Sequence, residues 1–207
     1  MAKRIRAVYE RGIIRPLEPL DLPEGILLEI TVEPIRGEEQ PLRGGGGPLP
    51  PGSMRLGEVL EAAGVPKEVR ESIEELIEHM ASSLLASVDE KLLELYRAVE
   101  RLEPGAAAAR IGPPPLDRDT WLLMLSDVLT VLEKAGMFEE TRPLRAAANQ
   151  RRLSPYDMAL AWLRGDRGYL DRVAEETGAG RSIVYLVAAV LGEASRRAVS
   201  RALGRGS

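Results

Sequence analysis

The chain has 207 residues, with 28 basic and 32 acidic side chains, a net charge of −4 and 44% hydrophobic residues. That is enough apolar material for a globular fold of one domain, or of a small domain beside a medium one. Cysteine is absent and His79 is the single histidine. These counts exclude disulfides, thiolate metal sites, cysteine nucleophiles and multi-histidine metal centres, and any Ser-His-Asp triad would have to use His79.

The acidic balance argues against a nucleic-acid partner. The longest apolar run, 183–191, has nine residues, against the roughly 20 that a membrane span requires. The opening Met1-Ala2-Lys3-Arg4-Ile5-Arg6 lacks the apolar region of a secretory signal. A cytoplasmic protein without membrane association is therefore expected. Asparagine and glutamine total three and arginine outnumbers lysine 24 to 4. The first count fits a thermophile; the second also follows from GC-rich coding.

In chain order, residues 3–9 alternate, with Ile5, Ala7 and Tyr9 on one side and Arg4 and Arg6 on the other. Glu10-Arg11-Gly12 is a turn signal, and Ile13-Ile14-Arg15 resumes an extended run. Pro16, Pro19 and Pro23 forbid a helix through 16–23. Pro23-Glu24-Gly25 marks a second turn, and 26–33 alternates again. Three strands in so short a stretch predict a small sheet. Such a sheet is too small to bury a core alone, so it should pair with a second copy or dock on the rest of the chain. Residues 44–53, Gly44-Gly45-Gly46-Gly47-Pro48-Leu49-Pro50-Pro51-Gly52-Ser53, carry no charge and read as a linker. Gly52-Ser53-Met54 also resembles a cloning junction ahead of a start codon.

From residue 54 onward the periodicity is helical. A short helix over 55–63 closes at Gly64. Another follows Pro66, with Val69, Ile73, Leu76, Ile77, Met80 and Leu84 at three- and four-residue spacing. Ser87-Val88-Asp89-Glu90 fits a capping box that either opens a new helix or marks a kink. The stripe continues to Leu102, and Pro104 and Gly105 end it. Residues 104–116, with four prolines and two glycines, read as a crossing loop. Asp117 or Asp119 can cap the next helix, which reaches Gly136. Helices over 141–153, from Ser154-Pro155 to Arg164-Gly165, over about 167–177, and from a Ser182 cap to about 203 complete the series. The expected fold is α+β and mainly α: a small β-sheet or barrel-like module over 1–43, a Gly/Pro linker over 44–53, and an all-α domain of about seven helices over 54–207.

Few residues point to chemistry. Glu75 and His79 stand four apart on one helical face, as a proton relay or two metal ligands would, but a solvated polar face beside the Ile73, Ile77 and Met80 stripe is the simpler reading. Glu71, Glu74, Glu75 and Glu78 form an acidic face that suits Mg²⁺, acid–base chemistry, a basic partner or plain solvent exposure. Gly178-Ala179-Gly180-Arg181-Ser182 resembles part of a phosphate loop but lacks its full spacing and a preceding strand, so a helix–helix turn is the simpler reading. The run 183–191 is apolar all round, as a buried central helix is. Arg196, Arg197, Arg201 and Arg205 make the last seventeen residues net +3. Cations near a helix C-terminus account for them without nucleic acid. Trp121 and Trp162 fall on apolar faces and are expected in the core. No catalytic residue, metal or cofactor is assigned.

The stretch Ala7-Val8-Tyr9-Glu10-Arg11-Gly12-Ile13-Ile14-Arg15-Pro16-Leu17-Glu18-Pro19-Leu20-Asp21-Leu22-Pro23-Glu24-Gly25 resembles small archaeal proteins classed as VapB-like antitoxins. The resemblance implies a small barrel-like β fold that dimerises and accompanies a PIN-type ribonuclease toxin. It covers about a fifth of the chain, and a linker follows the third predicted strand where family members usually continue with further structure. Leu163-Arg164-Gly165-Asp166, then Leu170 through Thr177-Gly178 and the apolar helix from Ile183, resemble the helical region of formate dehydrogenase accessory proteins. That implies an oxidoreductase subunit as client, although those proteins typically add cysteine-rich zinc ribbons.

Together these readings describe a non-enzymatic interaction or regulatory protein. Its β module would self-associate, and its helical domain would hold a protein client, a toxin nuclease or an oxidoreductase subunit. A carboxylate-dependent enzyme is the alternative of a different class. The candidate interaction residues are Tyr9, Ile14, Arg15 and Pro16 in the first module and Glu71, Glu75, Arg196, Arg197 and Arg201 in the second.

Overall fold

The computed structural model describes the backbone of Ala7–Glu10 and Ile13–Pro16 and all of residues 56–204. The chain divides into two units, Met1–Gly45 and Gly46–Ser207. In the first, β1 (Ala7–Glu10) and β2 (Ile13–Pro16) pair antiparallel, with Tyr9 opposite Ile14, Val8 opposite Arg15 and Ala7 opposite Pro16. The predicted third strand at 26–33 and the linker at 44–53 lie outside the described residues.

The second unit is helical throughout: α1 (Leu56–Ala62), α2 (Lys67–Leu85), α3 (Glu90–Leu102), α4 (Ala107–Ile111), α5 (Arg118–Lys134), α6 (Phe138–Asn149), α7 (Pro155–Arg164), α8 (Arg167–Thr177) and α9 (Arg181–Ala202). The expected α+β fold is therefore corrected. Residues 56–204 are all-α, with nine helices rather than about seven, and the described residues contain neither a three-stranded sheet nor a barrel. Two strands of four residues present too little surface to build a core of their own.

Both additional helices have local causes. The chain breaks after α2 because Asp89 caps a fresh helix, its carboxylate accepting from Leu92 N at 2.8 Å. Ser87, expected as the cap, instead donates to Leu84 O at 2.7 Å. Within the presumed crossing loop, the alanine run forms the single turn of α4, stopped by Gly112 at φ 111°.

Other termini follow ordinary capping chemistry. Asp117, not Asp119, caps α5, and Ser154 caps α7 with Pro155 at its first position. Helix α6 begins three residues earlier than predicted and ends at Asn149, which places Pro143 inside it. Helix α9 begins at Arg181 after Gly180 rather than from a Ser182 cap.

Helix α9 is the axis of the unit, packing most extensively against α2 and α7 and also against α1, α5 and α8. Every residue from Ile183 to Gly192 is buried, as an all-apolar helix requires. Trp121 and Trp162 are buried in the same core, and Trp121 meets Tyr156 edge-on with ring centroids 5.7 Å apart. A smaller cluster lies under α3 and α4, where Tyr96 packs with Ala107, Ala108 and Val199. Among the described residues no helix is long and apolar enough to cross a membrane.

Candidate functional site

The acidic face of α2 and the basic face of α9 meet. Both helices are amphipathic on either side of their shared apolar contact, so packing the stripes together brings the flanking charges within reach. Arg197 donates to three carboxylates: Nη2 to Glu74 Oε2 at 2.8 Å, Nη1 to Glu78 Oε1 at 2.6 Å and Nε to Glu193 Oε1 at 2.9 Å. Arg201 donates to Glu78 Oε2 and reaches Ser82 Oγ at 3.4 Å. Arg196 holds Glu193 with two bonds, at 2.6 and 2.8 Å. These groups form a seam of three guanidiniums and three carboxylates whose formal charges cancel.

The pairing favours the charged forms of Glu78, Glu193, Arg196 and Arg197. Glu78 lies below its ordinary value because Arg197 and Arg201 hydrogen-bond its carboxylate. At Glu193 burial pushes the pKa up, but bonds from Arg196 and Arg197 outweigh it and leave it lowered. Burial pushes Arg197 down, yet Glu78, Glu193 and Glu74 together raise it. Glu78 and Glu193, held ionised by their guanidinium partners, are poor proton donors at neutral pH. The seam's balanced charge also gives a nucleic-acid phosphate no net attraction. What the arrangement does is clamp two helices.

The candidate residues thus divide. Arg196, Arg197 and Arg201 belong to the seam, with Arg197 and Arg201 under a third exposed. Glu71 and Glu75 lie outside it; both are exposed and neither forms an ion pair among the described residues. His79 is exposed, and its backbone carbonyl accepts from Ser83 Oγ at 3.2 Å. Among the described residues no group of three or more histidine, aspartate or glutamate side chains is placed to hold a metal. Tyr9, Ile14, Arg15 and Pro16 all lie in the paired strands β1 and β2. The segment 178–182 is the turn between α8 and α9: Gly178 closes α8 in the left-handed region at φ 74°, and Arg181 pairs with Asp171 at 3.3 Å.

Sequence reasoning passed over Glu193, whose carboxylate anchors the seam. Its spacing of three and four to Arg196 and Arg197 was the available signal. It also passed over a partly buried pair between α5 and α6, in which Arg145 holds Glu133 at 2.8 Å and donates to Ser126 Oγ at 2.7 Å.

Comparison with known proteins places the first unit among a defined set. Residues 1–44 match the AF2212-like family model. A protein of Archaeoglobus fulgidus named as antitoxin VapB21 is 54% identical over 39 residues, which cover 17% of this chain and 64% of that relative. The chain therefore spans just under two thirds of the relative's length. Both matches fall in the first 44 residues and give no support to the resemblance between the helical region and formate dehydrogenase accessory proteins. No solved structure matches the chain.

Proposed function

We propose that the protein is a non-enzymatic regulator of antitoxin type. In this reading residues 1–43 engage a toxin nuclease and bring copies of the chain together, residues 44–53 act as a tether, and the helical module at 54–207 is an appended regulatory body. It works in the cytoplasm without a cofactor. The observation that carries the reading is the match of residues 1–44 to the AF2212-like family, strengthened by 54% identity to the Archaeoglobus antitoxin over 39 residues. The helical module's main charged cluster is internally neutralised, which suits a structural clamp between two helices.

The experiment is inhibition of RNA cleavage. A PIN-type ribonuclease, the partner class the antitoxin reading implies, is incubated with a fluorescent RNA and increasing amounts of the full chain. Stoichiometric loss of cleavage, relieved in Tyr9→Ala and Arg15→Glu variants, is the expected result. Cleavage that continues at a tenfold excess of the chain, with no complex on size-exclusion chromatography, overturns the reading.

A further inference from the structure

We propose that the cleft between the α6–α7 connection and α8 binds a phosphate-sized oxyanion. The cleft has a volume of about 80 Å³ and is lined by Arg152 and Ser154 from the connection and by Tyr169, Arg172, Val173 and Glu176 from α8. Neither Arg152 nor Arg172 forms an ion pair among the described residues, whereas eight other arginines there each hold a carboxylate. Both arginines line one small cleft, where a single carboxylate, Glu176, stands against them. Glu176 lies four residues beyond Arg172, the spacing that favours a pair, yet the two make none. The cleft therefore carries a net positive charge.

The remaining features suit an anion. The residue before Arg152, Arg151, is the one non-glycine residue with positive φ among those described, at 55°. It is held there by an ion pair to Asp119 at 2.9 Å and by Arg118 donating to its carbonyl. Arg152 N closes the end of α6 on Ala147 O at 2.9 Å, so the root of the Arg152 side chain is fixed. The Arg172 guanidinium stands 5.9 Å from the centre of the Tyr169 ring, which restrains it by cation–π attraction. Ser154 Oγ accepts from Asp157 N and so keeps its own proton to donate. Val173, 7% exposed, supplies an apolar wall, and charge–charge attraction strengthens beside low-dielectric surface.

Size narrows the ligand. A small cleft of about 80 Å³ suits a compact group such as a tetrahedral oxyanion. The shared chemistry is a phosphoryl dianion, free or at the end of a small metabolite, and paired guanidiniums are the donors that match its geometry.

The test is calorimetric titration of the full chain with inorganic phosphate and, separately, with glycerol 2-phosphate at constant ionic strength. Saturable binding of either, weakened about tenfold or more in Arg172→Gln or Arg152→Gln, is expected from the loss of a charge-assisted hydrogen bond. Binding in Arg142→Gln, which removes an exposed arginine paired with Glu139, should be unchanged. Tighter binding of inorganic phosphate identifies the free ion as the ligand, and tighter binding of the ester identifies a phosphorylated metabolite. No saturable binding of either probe, or equal binding in both cleft variants with helical circular dichroism intact, overturns the proposal. Both arginines are exposed, so either variant serves if the other fails to fold.

Discussion

The indole of Trp162 covers Gly192 so closely that a Cβ at that glycine would stand 2.5 Å from Trp162 Cδ1 and 3.1 Å from Cγ. Helix α7 thus reaches α9 through the one residue there without a side chain. The atoms in the way are the root of a buried ring, which cannot swing aside.

Gly192→Ala is therefore expected to destabilise the helical unit. Replacing a mid-helix glycine returns about 1 kcal/mol of helix propensity, but overpacking a tight core costs about 1–3 kcal/mol. The clash should win, lowering Tm by a few degrees in a thermal melt. An unchanged or higher Tm would show that α7 shifts freely over α9.

Arg197 is the hub of the α2–α9 seam, so Arg197→Gln leaves Glu74, Glu78 and Glu193 facing one another without their shared cation. A loss of about 1–2 kcal/mol is expected, given hydrogen bonds to charged groups at a partly buried site. Arg142→Gln removes a pair whose side chains are 70% and 77% exposed and should leave Tm unchanged. Equal melts for the two variants would demote the seam to surface decoration.

The same seam predicts the pH response. Glu78 and Glu193 have folded-state values below their unfolded ones, so their stabilisation is complete above the ordinary glutamate range near about 4.3. It is lost as pH falls through the lowered folded values. Tm should hold from neutral pH to about 5 and then drop. The drop should be shallower in Glu78→Gln, whose seam no longer titrates at that position. Parallel curves for the two proteins would contradict this assignment.

Tyr96, fully buried beneath α3, donates its hydroxyl to Gly112 O at 2.9 Å and ties α3 to the end of α4. Tyr96→Phe keeps the ring and strands that carbonyl, a cost of about 1 kcal/mol. Denaturant melts should show a lower midpoint at unchanged m-value; a matching midpoint would mean that water takes the hydroxyl's place.

How far the sequence carried depends on the range of the interaction. The buried run 183–191, the burial of both tryptophans and the Asp117 cap were legible because apolar periodicity and capping are local. Helix α4 was not, since the prolines and glycines around Ala106-Ala107-Ala108-Ala109 read as loop and hid the helix-forming alanine run. The α2–α9 seam joins Glu78 to partners 119 and 123 residues away. One sequence shows both charged faces but not that they neutralise each other. The expected sheet rested on alternation in 26–33, outside the described residues, and its first two strands form only a short pair. The cleft at Arg152 and Arg172 was not anticipated at all, because the two arginines come together only through the packing of α8 beside the α6–α7 connection.

The position of α9 also bears on how the molecule acquires its shape. Helices α1 to α8 leave the ribosome before it, yet their apolar stripes converge on it. Until residues 181–202 emerge, the stripes of α2 and α7 lack the helix they pack against most, and the contact between α2 and α9 must bridge about a hundred residues. Folding should then be slower than in an up-and-down bundle of similar size, because long loops close before their contacts stabilise them. The interval before α9 arrives is when the chain is most exposed to aggregation and most open to a chaperone.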